Sequence, residues 1–469
     1  MCKRILVMGI FILFLFSKIG FAGKWKSVLL KDVPHVMQRK DFCGEACAEM
    51  VLRSHNHKGD QNWIFGLSGV RASEARGCYT RDLRTALNAA GFEPGRVWYK
   101  VKAGQASYGL EKVWTALHRD LMKKIPSIVC MRTGNSKTAT EHMRLIVGYD
   151  SDRDMVVYHE PAEKNGGYRK IKRSEFLERW PLKYDPGIWT VVRFRMKTGK
   201  LRIYRAADGF TEADYAQHLM RVKSRVPSGF SVVLEKPFVV IGNQSRETVE
   251  KRWARGTVRW AVKHLKALYF SKDPDDIVDV WLFKDRKSYR LYSLKLWGTS
   301  PGTPFGYYSQ TNKALVMNIA TGGGTLVHEI VHPFMRSNFR KCPDWFNEGM
   351  GSLYEQSGQR NGKIVGLTNW RIAGLQNAIQ RKKLPSFKYL MTDPDFYGQT
   401  YGYAQARYLC YYLQQNSLLE EFYRKFRKNV KTDPRGYRTL TTLLKQKDLI
   451  AFQKKWETWV MSLKYPPST

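Results

Sequence analysis

Acidic residues are scarce in this chain of 469 residues, which has 41 aspartates and glutamates against 79 lysines and arginines. The formal net charge of +38 is spread along the chain, with an excess of 17 positive charges in residues 1–200 and of 21 in the remainder. Nucleic-acid modules usually concentrate their charge in one patch, so this spread argues against specific nucleic-acid recognition. It suits attraction to an anionic envelope polymer or an acidic substrate, but a solvated basic surface without a particular partner explains it equally well.

Long apolar runs are missing after the first 22 residues. Two basic residues precede an apolar run of 12 residues, 5–16, and the triplet Gly-Phe-Ala at 20–22 has the small-x-small pattern of a cleavage site. The run is shorter than the roughly 20 apolar residues that cross a bilayer. We predict a signal peptide over residues 1–22 and an exported protein, periplasmic or extracellular, with no membrane span after signal removal. An uncleaved anchor is the alternative.

The chain has no CxxC pair, which argues against a zinc ribbon built from thiolates. Of its seven cysteines, Cys2 leaves with the signal peptide, and six in so long a chain do not make a small disulfide scaffold. Export permits a disulfide, and Cys47–Cys78 is the pair that we predict.

The remaining length of about 445 residues predicts two or three domains. We predict two α+β domains, residues 24–196 and 225–469, joined by a linker over residues 197–224. The first contains an early helix and the strand-like runs HMRLIVGYD, DMVVYHEPA and IWTVVRFRM. The second contains the strand-like runs FVVIG, DVWLFK and KALVMNIA, helical periodicity over residues 247–270, and mostly helix thereafter.

The stretch GTLVHEIVHPFM, residues 324–335, carries a candidate metal site. His328 and His332 lie four residues apart and therefore share one face of a helix, so both imidazoles can bind one ion. Glu329 points about 100° round the helix, where it can take a proton from a zinc-bound water. The stretch PDWFNEGMGSLYE follows as a second helix, and its Glu348 supplies a third ligand that leaves a fourth position for water. We predict a Zn²⁺ site, although HExxH also occurs in ordinary amphipathic helices.

His328-Glu329-x-x-His332 followed by WFNEG resembles the gluzincin metallopeptidases of the peptidase MA-like group. The resemblance covers most of residues 235–430 and implies a gluzincin-type zinc metallopeptidase fold, with Glu329 as base and Glu348 as third ligand. It also implies that the strand KALVMNIA lines the cleft and pairs with the substrate backbone. The metzincin pattern fails, because Met335 and Asn338 stand where its glycine and third histidine belong.

Two further features of the second domain need an interpretation. Tyr401 or Tyr403 is a candidate to stabilise the oxyanion of the reaction, with a tyrosine packed in the core as the alternative. The run TGGGT, residues 321–325, has no lysine in the P-loop position, so we predict a turn between the strand and the metal helix.

The stretch QRKDFCGEACAEMVLR, residues 38–53, carries a candidate thiol site. Cys43 falls at a predicted helix start with Asp41 placed to cap it, and helix amides and the helix dipole lower a thiol pKa there. Gly44 would let a substrate backbone come close. Cys47 lies one turn further along the helix and is predicted to be structural.

A cysteine nucleophile needs a base and a group that orients the base. His142 opens one strand-like run and Glu160 closes the next, and this order resembles papain-like peptidases of the bacteriocin-processing family over roughly residues 33–180. The resemblance implies Cys43 as nucleophile, His142 as base, Glu160 as orienting group and Gln38 as oxyanion donor. Glu160 replaces the expected aspartate, and Gln38 lies five residues before the cysteine where six is commoner. His159 is a rival base.

The sequence therefore predicts an exported peptidase with a papain-like cysteine peptidase domain followed by a gluzincin-type zinc domain. Its predicted partners are a peptide or protein substrate and an anionic envelope polymer, without specific nucleic acid. One alternative keeps the zinc peptidase and makes the papain-like domain a non-catalytic binding module. The other is a non-catalytic, basic envelope-binding protein, against which the intact Glu329 argues because a relic has no need of the base.

Overall fold

The computed structural model describes residues 25–134, 136 and 139–465, so the predicted signal peptide, 1–22, lies outside the described residues. The chain forms two compact units. Unit 1 comprises Met1–Val70 and Gly77–Arg205, and unit 2 comprises Arg71–Arg76 and Ala206–Thr469. The predicted linker, 197–224, is divided between the units and contains a helix of unit 2.

Unit 1 combines an antiparallel sheet with five helices in its described part. The strands are β1 (Val28–Leu29), β2 (Trp98–Lys102), β3 (Ser127–Arg132), β4 (Glu141–Asp150), β5 (Met155–His159), β6 (Arg169–Lys172) and β7 (Ile188–Arg195). The helices are α1 (Cys43–Ser54), α2 (Gln61–Leu67), α3 (Thr80–Ala90), α4 (Ala106–Met122) and α5 (Arg173–Arg179). The sheet order is β2-β7-β3-β4-β5-β6, with β1 paired to the far end of β4. The early helix and the three predicted strands are confirmed.

The burial of β4 and α1 fixes the position of the candidate thiol site. Seven consecutive residues of β4, 143–149, are buried, as expected for a strand covered on both faces. Helix α1 buries nine residues, 44–52, and lies against β4. The helix start and the start of the strand are therefore held together by the core of unit 1.

Unit 2 is built on a mixed sheet followed by helices. Its strands are β8 (Ser231–Glu235), β9 (Phe238–Gly242), β10 (Val278–Phe283), β11 (Gly306–Ser309), β12 (Ala314–Asn318), β13 (Ser357–Arg360) and β14 (Lys363–Gly366). Its helices are α6 (Glu212–Lys223), α7 (Trp260–Leu268), α8 (Arg286–Trp297), α9 (Gly324–Asn338), α10 (Asp344–Glu355), α11 (Arg371–Gln380), α12 (Phe387–Thr392), α13 (Gly402–Gln415), α14 (Leu419–Asn429), α15 (Tyr437–Leu443) and α16 (Ile450–Ser462). A π-helical segment, Thr248–Arg259, runs directly into α7.

Helix α6 accounts for the difference from the predicted linker. Thr211 and Asp214 form a reciprocal capping box at its start, which satisfies two backbone N–H groups. The helix then buries Tyr215, Leu219 and Val222 among other residues. The segment is amphipathic rather than extended, so it belongs to the core of unit 2.

The main sheet of unit 2 has the order β11-β12-β10-β9-β8. The three predicted strands correspond to β9, β10 and β12, which are parallel to one another, and all three are confirmed. The sequence KALVMNIA forms β12, which lies between β10 and β11 and cannot pair with a substrate. The implied role of that strand is therefore wrong, and the edge position belongs to the antiparallel β11. None of the helices within residues 25–134 or 139–465 is both long enough and apolar enough to cross a membrane.

Candidate active sites

Cys43 is the first residue of α1, where the N–H groups of a helix have no partner within the helix. The preceding residue, Phe42, occupies the N-cap position, and no side chain within the described residues caps the helix there. The predicted capping by Asp41 is therefore wrong, since Asp41 is one residue too early and adopts φ 59°. The helix start is nevertheless where the sequence predicted it.

Gly44 has a packing role in this structure, and its role in substrate approach stays a prediction. A Cβ atom at this position would lie 2.6 Å from Sδ of Met143 and 2.7 Å from Cδ2 of Leu83. The absence of a side chain therefore lets α1 approach β4 and α3 closely. Because Met143 follows His142 directly, this packing brings the backbone of the candidate base next to that of the candidate nucleophile.

His142 and Glu160 form the hydrogen bond that the thiol site requires. Nε2 of His142 lies 2.5 Å from Oε1 of Glu160, and the two side chains are 13% and 7% exposed. The second oxygen of Glu160 accepts a hydrogen bond of 2.6 Å from Nε of Arg144, and the N–H of Ala162 donates to Oε1 over 3.1 Å. This arrangement leaves Nδ1 of His142 as the nitrogen that can accept a proton from a thiol.

The carboxyl group of Glu160 is held in its ionised form. Burial alone would raise its pKa, but the hydrogen bond and charge of His142, the charge of Arg144 and the N–H of Ala162 outweigh burial and lower the pKa to about 2. A glutamate replaces the aspartate of the resembled family here, and it reaches the imidazole without difficulty.

The pKa of Cys43 contradicts the sequence-based expectation. Burial is the main cause that raises the pKa of the thiol, the backbone amides of Met143, Gly44 and Cys43 lower it, and the charge of Glu45 raises it, with a net result of about 12. The predicted lowering at a helix start fails because the packing around this half-buried sulfur disfavours the thiolate, and the sequence pattern does not reveal that packing. The resting thiol is therefore neutral.

His159, the rival base, is unavailable for catalysis. It is fully buried, its Nε2 lies 2.9 Å from the carbonyl oxygen of Val33, and its Nδ1 accepts a hydrogen bond of 3.0 Å from the N–H of Tyr168. Burial lowers the pKa of His159, so the ring is neutral and structural. His142 is the histidine whose geometry suits a base.

Gln38 is fixed beside the loop that carries Glu160. Its backbone N–H donates to the carbonyl oxygen of Pro161 over 2.7 Å, and its buried Oε1 finds no hydrogen-bond partner among the described residues. The side-chain amide of Gln38 therefore has no observed contact in the described chain that would fix its orientation toward a substrate. Its role as oxyanion donor stays a prediction.

All six cysteines of the described residues are free thiols, so the predicted Cys47–Cys78 disulfide is wrong. Cys47 is fully buried and its Sγ lies 3.8 Å from the carbonyl oxygen of Met143. Cys78 is also buried, and its N–H donates to Oε1 of Glu45 over 2.7 Å. The two side chains are packed into different surroundings, and Cys47 has the structural role that its position predicts.

In unit 2, the metal-ligand pattern forms on α9, and TGGGT lies at the turn between β12 and this helix, as predicted. One ligand atom each from His328, Glu329 and His332 lies within 4.8 Å of the others. The helix continues through Pro333 to Asn338, and His328 and Glu329 are buried. The helical spacing therefore brings the two imidazoles to one side of the helix as predicted, with the carboxylate of Glu329 close to them.

Helix α10 brings Glu348 to both imidazoles. Its Oε2 lies 3.2 Å from Nε2 of His328, and its Oε1 lies 3.9 Å from Nε2 of His332. A tetrahedral zinc with ligand bonds of 2.0–2.2 Å would separate its ligand atoms by about 3.4 Å. Two nitrogens and one carboxylate at these distances fit zinc in both donor type and spacing.

Neighbouring groups orient these three donors. Nδ1 of His332 lies 3.2 Å from Oδ1 of Asn347, which leaves Nε2 free to face a metal. The hydroxyl of Tyr397 donates to Oε1 of Glu348 over 3.3 Å. A Cβ atom at Gly351 would lie 3.1 Å from the ring of His328, so a side chain there would crowd this imidazole. The sequence analysis did not single out Tyr397, because a tyrosine in a loop gives no pattern.

A cavity of about 570 Å³ opens over these donors. Residues of the edge strand β11 line it, including Tyr307 and Tyr308, together with Tyr397 and Tyr403. Tyr401 is not among the lining residues of the described chain, so of the two candidates the structure brings only Tyr403 to the cavity. Burial and the charges of Glu348 and Glu329 raise the pKa of Tyr403, which keeps its hydroxyl available as a hydrogen-bond donor.

The Peptidase_C39 like family matches residues 30–185, about a third of the chain, and this range includes Cys43, His142 and Glu160. Apart from residues 71–76, the matched range lies in unit 1. This similarity supports peptidase activity of the cysteine type in unit 1, a papain-like fold there, and a peptide or protein as substrate. No curated protein matches the chain.

Proposed function

We propose that unit 1 hydrolyses peptide bonds through Cys43, His142 and Glu160. The observation that carries this proposal is the 2.5 Å contact between the half-buried His142 and the buried Glu160, in a strand and a loop that pack beside the helix that begins at Cys43. The family match over residues 30–185 agrees with it. Because this support comes from two sources, the thiol site is now better founded than the zinc site.

The neutral resting thiol determines the first step of the proposed mechanism. Nδ1 of His142 removes the proton from Sγ of Cys43 as the sulfur attacks the carbonyl carbon, and Glu160 stabilises the imidazolium that forms. The imidazolium then donates this proton to the leaving amine, and the C–N bond breaks to give a thioester. Water hydrolyses the thioester with His142 again as base, which restores the thiol.

The first amides of α1 can stabilise the oxyanion, since they lack helical partners. The side chain of Gln38 is the second donor in this proposal.

We further propose that unit 2 is a zinc peptidase with a gluzincin-type fold, because the donors of α9 and α10 converge at distances suited to zinc. His328, His332 and Glu348 would hold the ion, which when bound polarises a carbonyl and lowers the pKa of a water molecule. Glu329 accepts a proton from the attacking water and returns it to the leaving amine. Tyr403 donates a hydrogen bond to the oxyanion, and β11 pairs with the substrate backbone.

One observation favours a different role for unit 1. The raised pKa of Cys43 and the burial of its thiol are also what a non-catalytic binding module would show. In that case unit 2 alone would cleave peptides. We retain catalysis in unit 1 because a binding module has no need of a buried imidazole–carboxylate pair beside a cysteine.

The two proposed activities can be separated in the full chain with a fluorogenic peptide library. Cys43→Ala should abolish cleavage that persists in the presence of a chelator and leave cleavage that a chelator inhibits. Cys47→Ala is the matched control, because Cys47 lies on the same helix and is buried, and it should leave both activities. If Cys43→Ala leaves all chelator-resistant cleavage intact, unit 1 is not a cysteine peptidase.

Glu329→Gln should have the converse effect. It removes the base and no ligand, so the protein should keep about one equivalent of zinc and lose chelator-sensitive cleavage. Elemental analysis showing less than about half an equivalent of zinc in the wild-type protein would contradict the zinc proposal. Full activity of Glu329→Gln would do so as well.

The proposed setting is outside the cytoplasm, where residues 1–22 would act as a signal peptide. There the excess of basic residues would hold the enzyme on an anionic envelope polymer. Labelling of the mature amino terminus after expression in a bacterium would test removal of the signal peptide, and a chain that retains its first residues would contradict that removal.

A further inference from the structure

Strand β8 forms the second edge of the main sheet in unit 2, at the opposite side from β11. Among the strands of the described chain it has one neighbour, β9, which pairs with all five of its residues. Apart from this pairing, the backbone groups of residues 232–234 have no hydrogen-bond partner within the described ranges. Alternate residues of an edge strand direct their N–H and C=O groups outward, where another strand can pair with them.

A cavity of about 780 Å³ runs beside this edge, and we call it the β8 groove. The residues that line it include all of β8 and five cationic side chains, those of Arg71, Lys223, Arg246, Arg255 and Arg259. The carboxylates among its lining residues are Glu235 and Glu250, so the groove has three more positive than negative charges. All five cationic residues are exposed.

The two carboxylates are already used by two of the cations. Glu235 makes two hydrogen bonds of 2.7 Å with Arg259, and Glu250 lies 2.5 Å from Arg255. Within the described residues, no ion pair involves Lys223 or Arg246, which therefore remain available to a ligand. The contact between Glu235 and Arg259 also shows that a carboxylate carried on a strand can reach the helical wall of this groove.

We propose that the β8 groove binds an acidic peptide segment in extended conformation, as an additional strand on β8. The unpaired backbone edge, whose residues are half-buried at 231–234, would supply main-chain hydrogen bonds, and Lys223 and Arg246 would bind acidic side chains. Leu219, Val226 and Phe230 also line the groove and offer an apolar surface. A strand that alternates acidic and apolar residues presents one kind of side chain on each face, which matches this lining.

Charge decides against two other occupants of the same edge. A second copy of this chain would bring its own cationic groove against the first, and like charges placed opposite each other destabilise strand pairing. Nucleic acid would satisfy the charges but cannot hydrogen-bond to a strand edge in register. The acidic peptide is the ligand that uses both the backbone edge and the charges.

The test uses the full chain and a fluorescein-labelled peptide of about nine residues that alternates Glu and Val, a length chosen to cover β8. Fluorescence anisotropy should show saturable binding in about 50 mM salt that weakens in about 300 mM salt. The double variant Lys223→Glu/Arg246→Glu should weaken binding about tenfold or more, because two attractive contacts become repulsive. Mass spectrometry after each titration verifies that the peptide is intact.

Two controls distinguish strand addition from general attraction to a basic protein. Lys388→Glu/Lys454→Glu makes the same change in net charge at exposed positions outside the groove and should leave binding unchanged. The same peptide with alternate N-methylated backbone nitrogens keeps every charge but loses N–H donors. Its affinity should therefore fall by about tenfold or more.

Three results would overturn the proposal. The first is equal weakening by the two double variants, which would indicate unspecific attraction. The second is unchanged binding of the N-methylated peptide. The third is that duplex DNA displaces the peptide, or that the chain forms dimers, and that the groove variant abolishes this behaviour while the control variant retains it.

Discussion

Replacing Glu160 by glutamine should destabilise unit 1 in a pH-dependent manner. The carboxylate accepts hydrogen bonds from Nε2 of His142, Nε of Arg144 and the N–H of Ala162. Glutamine has nearly the same size but carries no charge, so Arg144 loses its counterion and His142 loses the carboxylate that accepts its hydrogen bond. Arg144 is then buried without an opposite charge, since its side chain is 11% exposed.

The magnitude follows from the pKa of the carboxyl group. The interactions in the folded state lower this pKa from 4.5 to about 2. Each pKa unit corresponds to about 1.4 kcal/mol, so the ionised carboxyl contributes about 3 kcal/mol to the free energy of unfolding at pH 7. Because the folded-state pKa is the lower one, this contribution is present above pH 4.5 and is lost as the pH falls through about 2. At pH 3 we expect a difference of about 1 kcal/mol between wild type and variant.

Short protease pulses along a urea gradient measure this difference, with mass spectrometry of peptides from residues 77–205 reporting on unit 1 alone. If the free energy of unfolding falls by about 2 kcal/mol per M urea, the urea concentration at the unfolding midpoint should be about 1.5 M lower in the variant at pH 7. At pH 3 the difference should be much smaller. Glu163→Gln is the matched control. It removes an exposed ion pair with Arg169, and such pairs contribute about 0–1 kcal/mol. A shift at pH 7 no larger than the control, or an equal shift at pH 3, would refute the reasoning.

Three further predictions concern the metal site, the thiol and the charge. Gly351→Ala should weaken zinc binding about tenfold, because a Cβ atom 3.1 Å from the ring of His328 must displace that ring. Gly374→Ala, where a Cβ atom meets no atom within 4 Å, should leave zinc affinity unchanged, and an equal effect of both would contradict the prediction. Iodoacetamide at pH 7 should label Cys43 at least about a hundredfold more slowly than free cysteine, because burial raises the pKa of its thiol to about 12. Rapid labelling that His142→Ala abolishes would instead demonstrate a resting thiolate. Adhesion to an anionic envelope polymer should fall sharply between low salt and about 0.3 M in co-sedimentation, whereas cleavage of a short neutral peptide should not change.

Periodicity and short spacings predicted most of what positions the two candidate sites. The i, i+4 spacing of His328 and His332 is geometric, so a helix of any origin brings these two side chains to one face. Cys43 falls at a helix start, and β4 and β5 end up adjacent, which brings Glu160 to His142. These are local patterns, or consequences of pairing between consecutive strands, and sequence reasoning handles both.

Features that depend on the order of strands were not predicted. The apolar run of β12 is typical of any buried strand, so nothing in it shows whether an edge strand covers it. The actual edge, β11, has the sequence GYYS, which is short and half-exposed and carries no strand signal of its own. Tyr397 reaches Glu348 from a loop 49 residues further along the chain, a contact that only the tertiary fold creates.

The pKa of Cys43 shows why a correct position does not ensure a correct electrostatic inference. A helix start lowers a thiol pKa through amides that the sequence can locate, whereas desolvation raises it through packing that the sequence cannot locate. Here α1 packs closely on β4 through Gly44, and partial burial of the adjacent Cys43 raises the pKa of its thiol. Reactivity at this site therefore depends on proton transfer to His142 during attack, and an assay of catalysis tests the site more directly than one of resting thiolate.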